Sequence, residues 1–87
     1  MKYRSRTDIA GAILEIALEG AIKTRIMYKA FLSFPQLKEY LGVLLEKGLL
    51  EYSATEHEYR TTDKGKQYLK MYKVVGQMIF PHSNKKK

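Results

Sequence analysis

The sequence predicts a mainly α-helical domain carrying one small β-hairpin, and three observations predict it. Apolar residues recur at helical spacing in three consecutive segments and again in a long last one. A single region, residues 49–62, alternates as strands do, around a turn at Thr55-Glu56-His57. The whole chain is 87 residues, which is room for one small domain.

The first helix is expected over Thr7 to Glu19, with Thr7 as N-cap, Asp8 in the first turn and Gly20 as the stop. Ile9, Ala12, Ile13, Ile16 and Ala17 form one face, and Leu14 and Leu18 lie on the far side. A helix apolar on two sides needs a second cover, either the last helix or another subunit. The second helix, about Ile22 to Phe31, buries Ile22, Ile26 and Ala30. It turns Lys23, Arg25 and Lys29 outward, with no acid in the segment.

Ser33-Phe34-Pro35-Gln36 reads as a capping box with proline in the first turn, and it starts the third helix. Leu37, Leu41, Leu44 and Leu45 line the core face of that helix, and Gly48 ends it. The short link between the second and third helices forces a sharp turn. Strands at Leu49–Ala54 and Glu58–Thr62 follow, with Tyr52 and Tyr59 sharing a face. Thr62 is the expected N-cap of a long helix, roughly Asp63 to Ile79, which Pro81 and a polar tail end.

Three helices, a two-stranded ribbon and a final helix make the layout of a winged helix-turn-helix with an extended C-terminal helix. In that fold the third helix enters the major groove of DNA. The expected division is a winged-helix domain over 1–80, its dimerisation helix at about 63–80, and a disordered basic tail at 81–87.

Composition narrows the function. Hydrophobic residues make up 45% and charged residues 29%, a globular balance. A domain of this size buries only about 60% of its unfolded surface, so a partner subunit would help it. Absent cysteine excludes disulfides and thiolate metal sites. The best apolar runs, Ile13–Leu18 and Val74–Phe80, are short and interrupted by Glu15 and Gln77. They suit neither a signal peptide nor a membrane span, so a cytoplasmic, nucleoid-associated protein is expected.

The formal charge is +7 and sits mainly at the ends: Lys2, Arg4 and Arg6 at one, three lysines at 85–87 at the other. Between them ten bases face nine acids. Basic ends suit a polyanion.

Several segments carry a family resemblance. They are Lys23-Thr24-Arg25-Ile26-Met27-Tyr28-Lys29-Ala30, Leu32-Ser33, Gln36-Leu37-Lys38-Glu39-Tyr40-Leu41 and Glu46-Lys47-Gly48-Leu49-Leu50. Tyr59-Arg60-Thr61-Thr62-Asp63-Lys64-Gly65 and Tyr68-Leu69 complete the set. In this order and spacing they resemble archaeal winged-helix proteins, the ten-kilodalton archaeal DNA-binding family with a C-terminal coiled-coil helix. The resemblance covers about residues 1–72. It implies a homodimer that binds double-stranded DNA, as a transcriptional regulator or a chromatin-type architectural protein. The last helix is short for such a coiled coil.

The candidate site follows from residue chemistry. Lys23, Arg25 and Lys29 form the best internal phosphate patch, and Ser33 with the open amides of a helix start can hold another phosphate. Gln36 and Lys38 are placed to meet base edges, glutamine at adenine and lysine at guanine. Arg60 and Lys64 complete the DNA-binding set. Arg60 is the lone base of a wing that carries Glu51, Glu56 and Glu58, so limited wing contact is expected. Glu39 and Glu46 on the outer face of the third helix also oppose DNA. Lys66, Lys70 and Lys73 form a second basic stripe.

Leu69, Tyr72, Val75, Met78 and Ile79 are the candidate dimerisation residues. One apolar stripe of the last helix can cover the first helix, while Met71, Val74 and Met78 have no partner in one chain. Catalysis, cofactors, metals, membranes and small-molecule substrates are not expected, because His57 sits in a turn and His82 in the tail without ligand-spaced neighbours. No exposed aromatic platform is expected either, which counts against RNA. The competing reading is a protein-interaction module in a larger assembly, which the acidic wing favours.

Overall fold

A computed structural model of the chain describes residues 4–79, with side chains from Arg4 to Val75. Helix α1 spans Arg6–Ile16, α2 Lys23–Lys29 and α3 Phe34–Glu46. Strands β1 (Leu50–Ser53) and β2 (Glu58–Thr61) pair antiparallel, and α4 runs Asp63–Ile79. Residues 81–87, expected as a basic tail, lie outside the described residues.

Helix α1 starts earlier than Thr7. Ser5 is its N-cap, because Ser5 and Asp8 have the spacing of a capping box: Asp8 N–H donates to Ser5 Oγ and Ser5 N–H to Asp8 Oδ2. It also ends earlier, at the C-cap Ala17, ahead of a turn into Gly20. Leu14 and Leu18, expected on a far side that needs a second cover, are fully buried and half-buried within the one chain. Helix α1 lies centrally, in contact with α2, β2 and α4.

Helix α2 is shorter than expected. Ile22 occupies its N-cap and is 47% exposed, so it is not a core residue. The capping box of α3 forms as read from sequence, with Gln36 N–H on Ser33 Oγ at 3.3 Å and Ser33 N–H on Gln36 Oε1 at 3.0 Å. Leu37, Leu41 and Leu44 are buried as expected. Tyr40 takes the fourth place, and Leu45 is exposed. The core is therefore one layer of α1, α2 and α3 side chains, closed by Leu50 and Leu69.

The hairpin register places Tyr52 opposite Tyr59, and their rings approach to 4.9 Å between centroids. Sequence pattern missed a further rung. Ala21 pairs with Tyr59 through two backbone hydrogen bonds of 2.8 and 2.9 Å, which anchors the hairpin to the segment before α2. A single bridging residue has no alternation to detect.

Polar residues fix the ends of the hairpin. Thr61 is buried, and its hydroxyl donates to the Leu14 carbonyl at 2.6 Å, satisfying both groups. Thr62 Oγ1 donates to the Gly48 carbonyl at 2.6 Å and accepts the Gly65 N–H at 3.1 Å, so it caps α4 as expected. Gly65 is required by close approach: a Cβ there would collide with the Leu49 carbonyl oxygen.

Candidate nucleic-acid interface

The chain from Gly20 to Lys38 holds four bases and no acid. In the fold it forms α2, the turn after it and the first turn of α3. Lys23, Arg25, Lys29 and Lys38 are all exposed and make no ion pair among the described residues. Lys23 Nζ lies 5.5 Å from the centre of the Phe34 ring, which ties the start of α2 to the start of α3.

The other predicted residues are engaged. Ser33 Oγ and Gln36 Oε1 hold each other's backbone amides in the capping box. A bidentate contact from Gln36 to adenine would have to break it. Arg60 lies 3.7 Å from Glu56 and 3.8 Å from Glu58, so its charge is balanced within the hairpin. Lys64 Nζ donates to the Lys47 carbonyl at 2.9 Å, at the C-terminus of α3 where a cation is favoured. Of the second stripe, Lys73 pairs with Glu15 at 3.1 Å, while Lys66 and Lys70 are exposed.

Two N-terminal bases also reach this region, which their sequence positions did not signal. Arg4 donates to the Phe31 carbonyl at 3.1 Å. Arg6 pairs with Glu39 at 3.3 Å and lies 5.0 Å over the Tyr40 ring. Glu39 is thereby partly neutralised on the outer face of α3, and Glu46 on the same face makes no ion pair among the described residues.

The candidate dimerisation residues divide. Leu69 is buried in the chain's own core. Tyr72 packs on Gly11, and its hydroxyl donates to Asp8. Val75 is half exposed, as is Val74, and Met71 is 67% exposed. Met78 and Ile79 belong to α4, with side chains outside the described residues. His57 Nδ1 lies in hydrogen-bond range of the Tyr52 hydroxyl, at 3.3 Å, and His82 lies outside the described residues. Among the described residues no cluster of acids and histidines is suited to a metal, and no helix is long and apolar enough to cross a membrane.

A winged helix-turn-helix family model matches residues 3–80, nearly the whole chain. The chain belongs to the winged helix-turn-helix family. Among solved structures it is similar to that of Sso10a-2, a DNA-binding protein from Sulfolobus solfataricus, at a TM-score of 0.78 and 24% identity. The match covers 87% of this chain and 82% of that one. At this identity the likeness is one of fold, and it agrees with the archaeal family that the sequence segments resemble. No curated protein matches the chain.

In the winged-helix layout α3 takes the position of the third helix and the β1–β2 hairpin that of the wing. Lys23, Arg25, Lys29 and Lys38, unpaired among the described residues, lie along α2 and the start of α3, and the one base of the hairpin is held by the hairpin's own acids.

Proposed function

We propose that this winged helix binds double-stranded DNA as a homodimer, catalyses nothing, and acts in the cytoplasm on the nucleoid. The observation that carries the reading is the segment from Gly20 to Lys38, which contains no acid and whose four exposed cations make no ion pair among the described residues. Lys23, Arg25 and Lys29 would hold phosphates, with Lys66 and Lys70 as further contacts, and Lys38 is the recognition-helix side chain free to reach a base. Family membership supports this, as does the DNA-binding description of the fold neighbour.

Between the two roles open to such a protein, the arrangement favours an architectural one over sequence-selective regulation. Gln36 is engaged as a cap, and Glu39 and Glu46 share the outer face of α3. Contacts to phosphates carry no sequence information. Dimerisation through α4 would cover Met71, Val74 and Val75, which the described residues of one chain leave exposed.

The test is titration of duplex DNA at several salt concentrations. The five phosphate contacts proposed for each protomer give a log-affinity against log-salt slope of about −4.5 per protomer bound. A protein-interaction module would show little salt-sensitive affinity, and that result would overturn the reading. Selection from random duplexes should yield weak or no sequence enrichment.

A further inference from the structure

Helices α2 and α3 end in the same way with different residues. In α3 the Leu49 N–H returns to the Leu44 carbonyl at 2.9 Å and the Gly48 N–H to the Leu45 carbonyl at 3.1 Å. In α2 the Leu32 N–H returns to the Met27 carbonyl at 3.0 Å and the Phe31 N–H to the Tyr28 carbonyl at 3.3 Å. Both are Schellman endings, which place one residue in the left-handed region. Gly48 is there at φ 77 without steric penalty, and Phe31 is there at φ 56 with one.

Burial gives Phe31 no compensation, because it is 84% exposed. Tyr28, three residues before it, is 73% exposed, and Phe34, three residues after it, is 53% exposed. The expectation that the chain lacks an exposed aromatic platform is thus corrected at the turn of the helix-turn-helix. Arg4 holds the turn by its bond to the Phe31 carbonyl. A strained backbone that presents a bulky apolar ring to solvent points to an occupant outside the chain.

Charge selects that occupant. The rings lie inside the acid-free segment, among Lys23, Arg25, Lys29 and Lys38. A second copy docking here would bring like charges together. A polyanion with flat apolar faces fits both features, and nucleic-acid bases offer those faces only when unpaired, since duplex bases already stack on one another. The turn leads directly into α3, so the nearest such strand is DNA where a duplex opens or ends.

We propose that Tyr28, Phe31 and Phe34 form a stacking platform for unpaired DNA bases beside a duplex held by the recognition helix. The choice of DNA rests on the duplex reading above, and the experiment separates the two. Fluorescence anisotropy of the full chain compares a blunt duplex with the same duplex bearing a single-stranded tail of about eight thymidines. The tail should tighten binding about five- to hundred-fold, the change expected from one stacked base. The variant Tyr28→Ala, Phe31→Asn should lose that gain while keeping blunt-duplex affinity and its salt slope. Asparagine tolerates the left-handed backbone, so the fold should hold, and Phe31→Trp should keep the gain.

Equal affinity for tailed and blunt duplex in the wild type would overturn the platform. So would a gain that survives in the double variant, because the tail would then be held by charge alone. Failure of the duplex reading looks different: the blunt duplex is not bound at any salt. The platform is then read on the thymidine strand alone, where the same loss in the double variant is expected and its absence overturns the proposal.

Discussion

Tyr72 of α4 donates its hydroxyl to Oδ1 of Asp8 on α1, at 2.5 Å and across most of the sequence. The Asp8 carboxyl is held below its usual range, first by this bond and then by Ser5. The Tyr72 hydroxyl is pushed up to about 12, first by the same bond and then by burial. The two shifts act on opposite sides of neutrality.

For Asp8 the folded value is depressed, so its stabilisation is present above about pH 4 and fades as pH falls through the lower folded value. For Tyr72 the folded value is raised, so its stabilisation is present below about pH 10 and fades as pH rises towards 12. Thermal melts should thus show Tm falling on both sides of a plateau. Tyr72→Phe should lower the plateau, shrink the acid limb and remove this alkaline contribution. Superimposable Tm–pH curves for the two proteins would refute the link.

Gly65 and Gly42 should respond oppositely to alanine. A Cβ at Gly65 meets the Leu49 carbonyl oxygen and the Thr61 methyl, so Gly65→Ala should cost about 1–3 kcal/mol and loosen α4 from the hairpin. A Cβ at Gly42 meets nothing within 4 Å, so Gly42→Ala should stabilise by about 0.5–1 kcal/mol. Urea unfolding of both variants reads this directly.

Freeing Arg60 should strengthen DNA binding. Glu56 and Glu58 hold its guanidinium, and their own charges repel phosphate. Changing both to glutamine should tighten binding at low salt and steepen the log-salt slope by about 0.9 if Arg60 reaches one phosphate. An unchanged affinity means that the wing stays clear of the duplex.

Gln36 should behave as a cap. Gln36→Ala should lower stability by about 1 kcal/mol and leave the ranking of DNA sequences unchanged. Lys38→Ala should keep stability and weaken binding. A preferred site that Gln36→Ala alone disrupts, by about 1–3 kcal/mol, would restore it as a base reader.

Val75→Asp should dissociate the expected dimer, and Met71→Asp likewise, because both side chains stand exposed on α4. Leu69→Asp should instead unfold the chain, since Leu69 is buried in the core. Light scattering of the wild type at tens of micromolar, an arbitrary concentration, decides the matter. A monomer there would end the dimer proposal.

Much of the fold was legible because it is local. The Ser33–Gln36 box, the Thr62 cap, the Tyr52–Tyr59 pair and the bounds of α4 depend on spacings of a few residues or on one hairpin register. The same is true of the acid-free run that forms the cationic surface. Periodicity assigns a residue to a helix face, but it does not say how many faces of that helix will be covered. Leu14 is core because packing within the chain covers it, and Leu69 is buried and Tyr72 half-buried for the same reason.

The charges divide in the same way. Net charge follows from composition alone, whereas the set of cations left for a ligand depends on contacts between distant residues. Arg6 meets Glu39 from 33 positions away, and Lys64 meets the Lys47 carbonyl from 17. Tertiary packing removed both from the free set, while Lys23, Arg25, Lys29 and Lys38 are among the cations left unpaired in the described residues. It also set Phe31 outside the core in a left-handed turn. No periodicity in the chain encodes that placement.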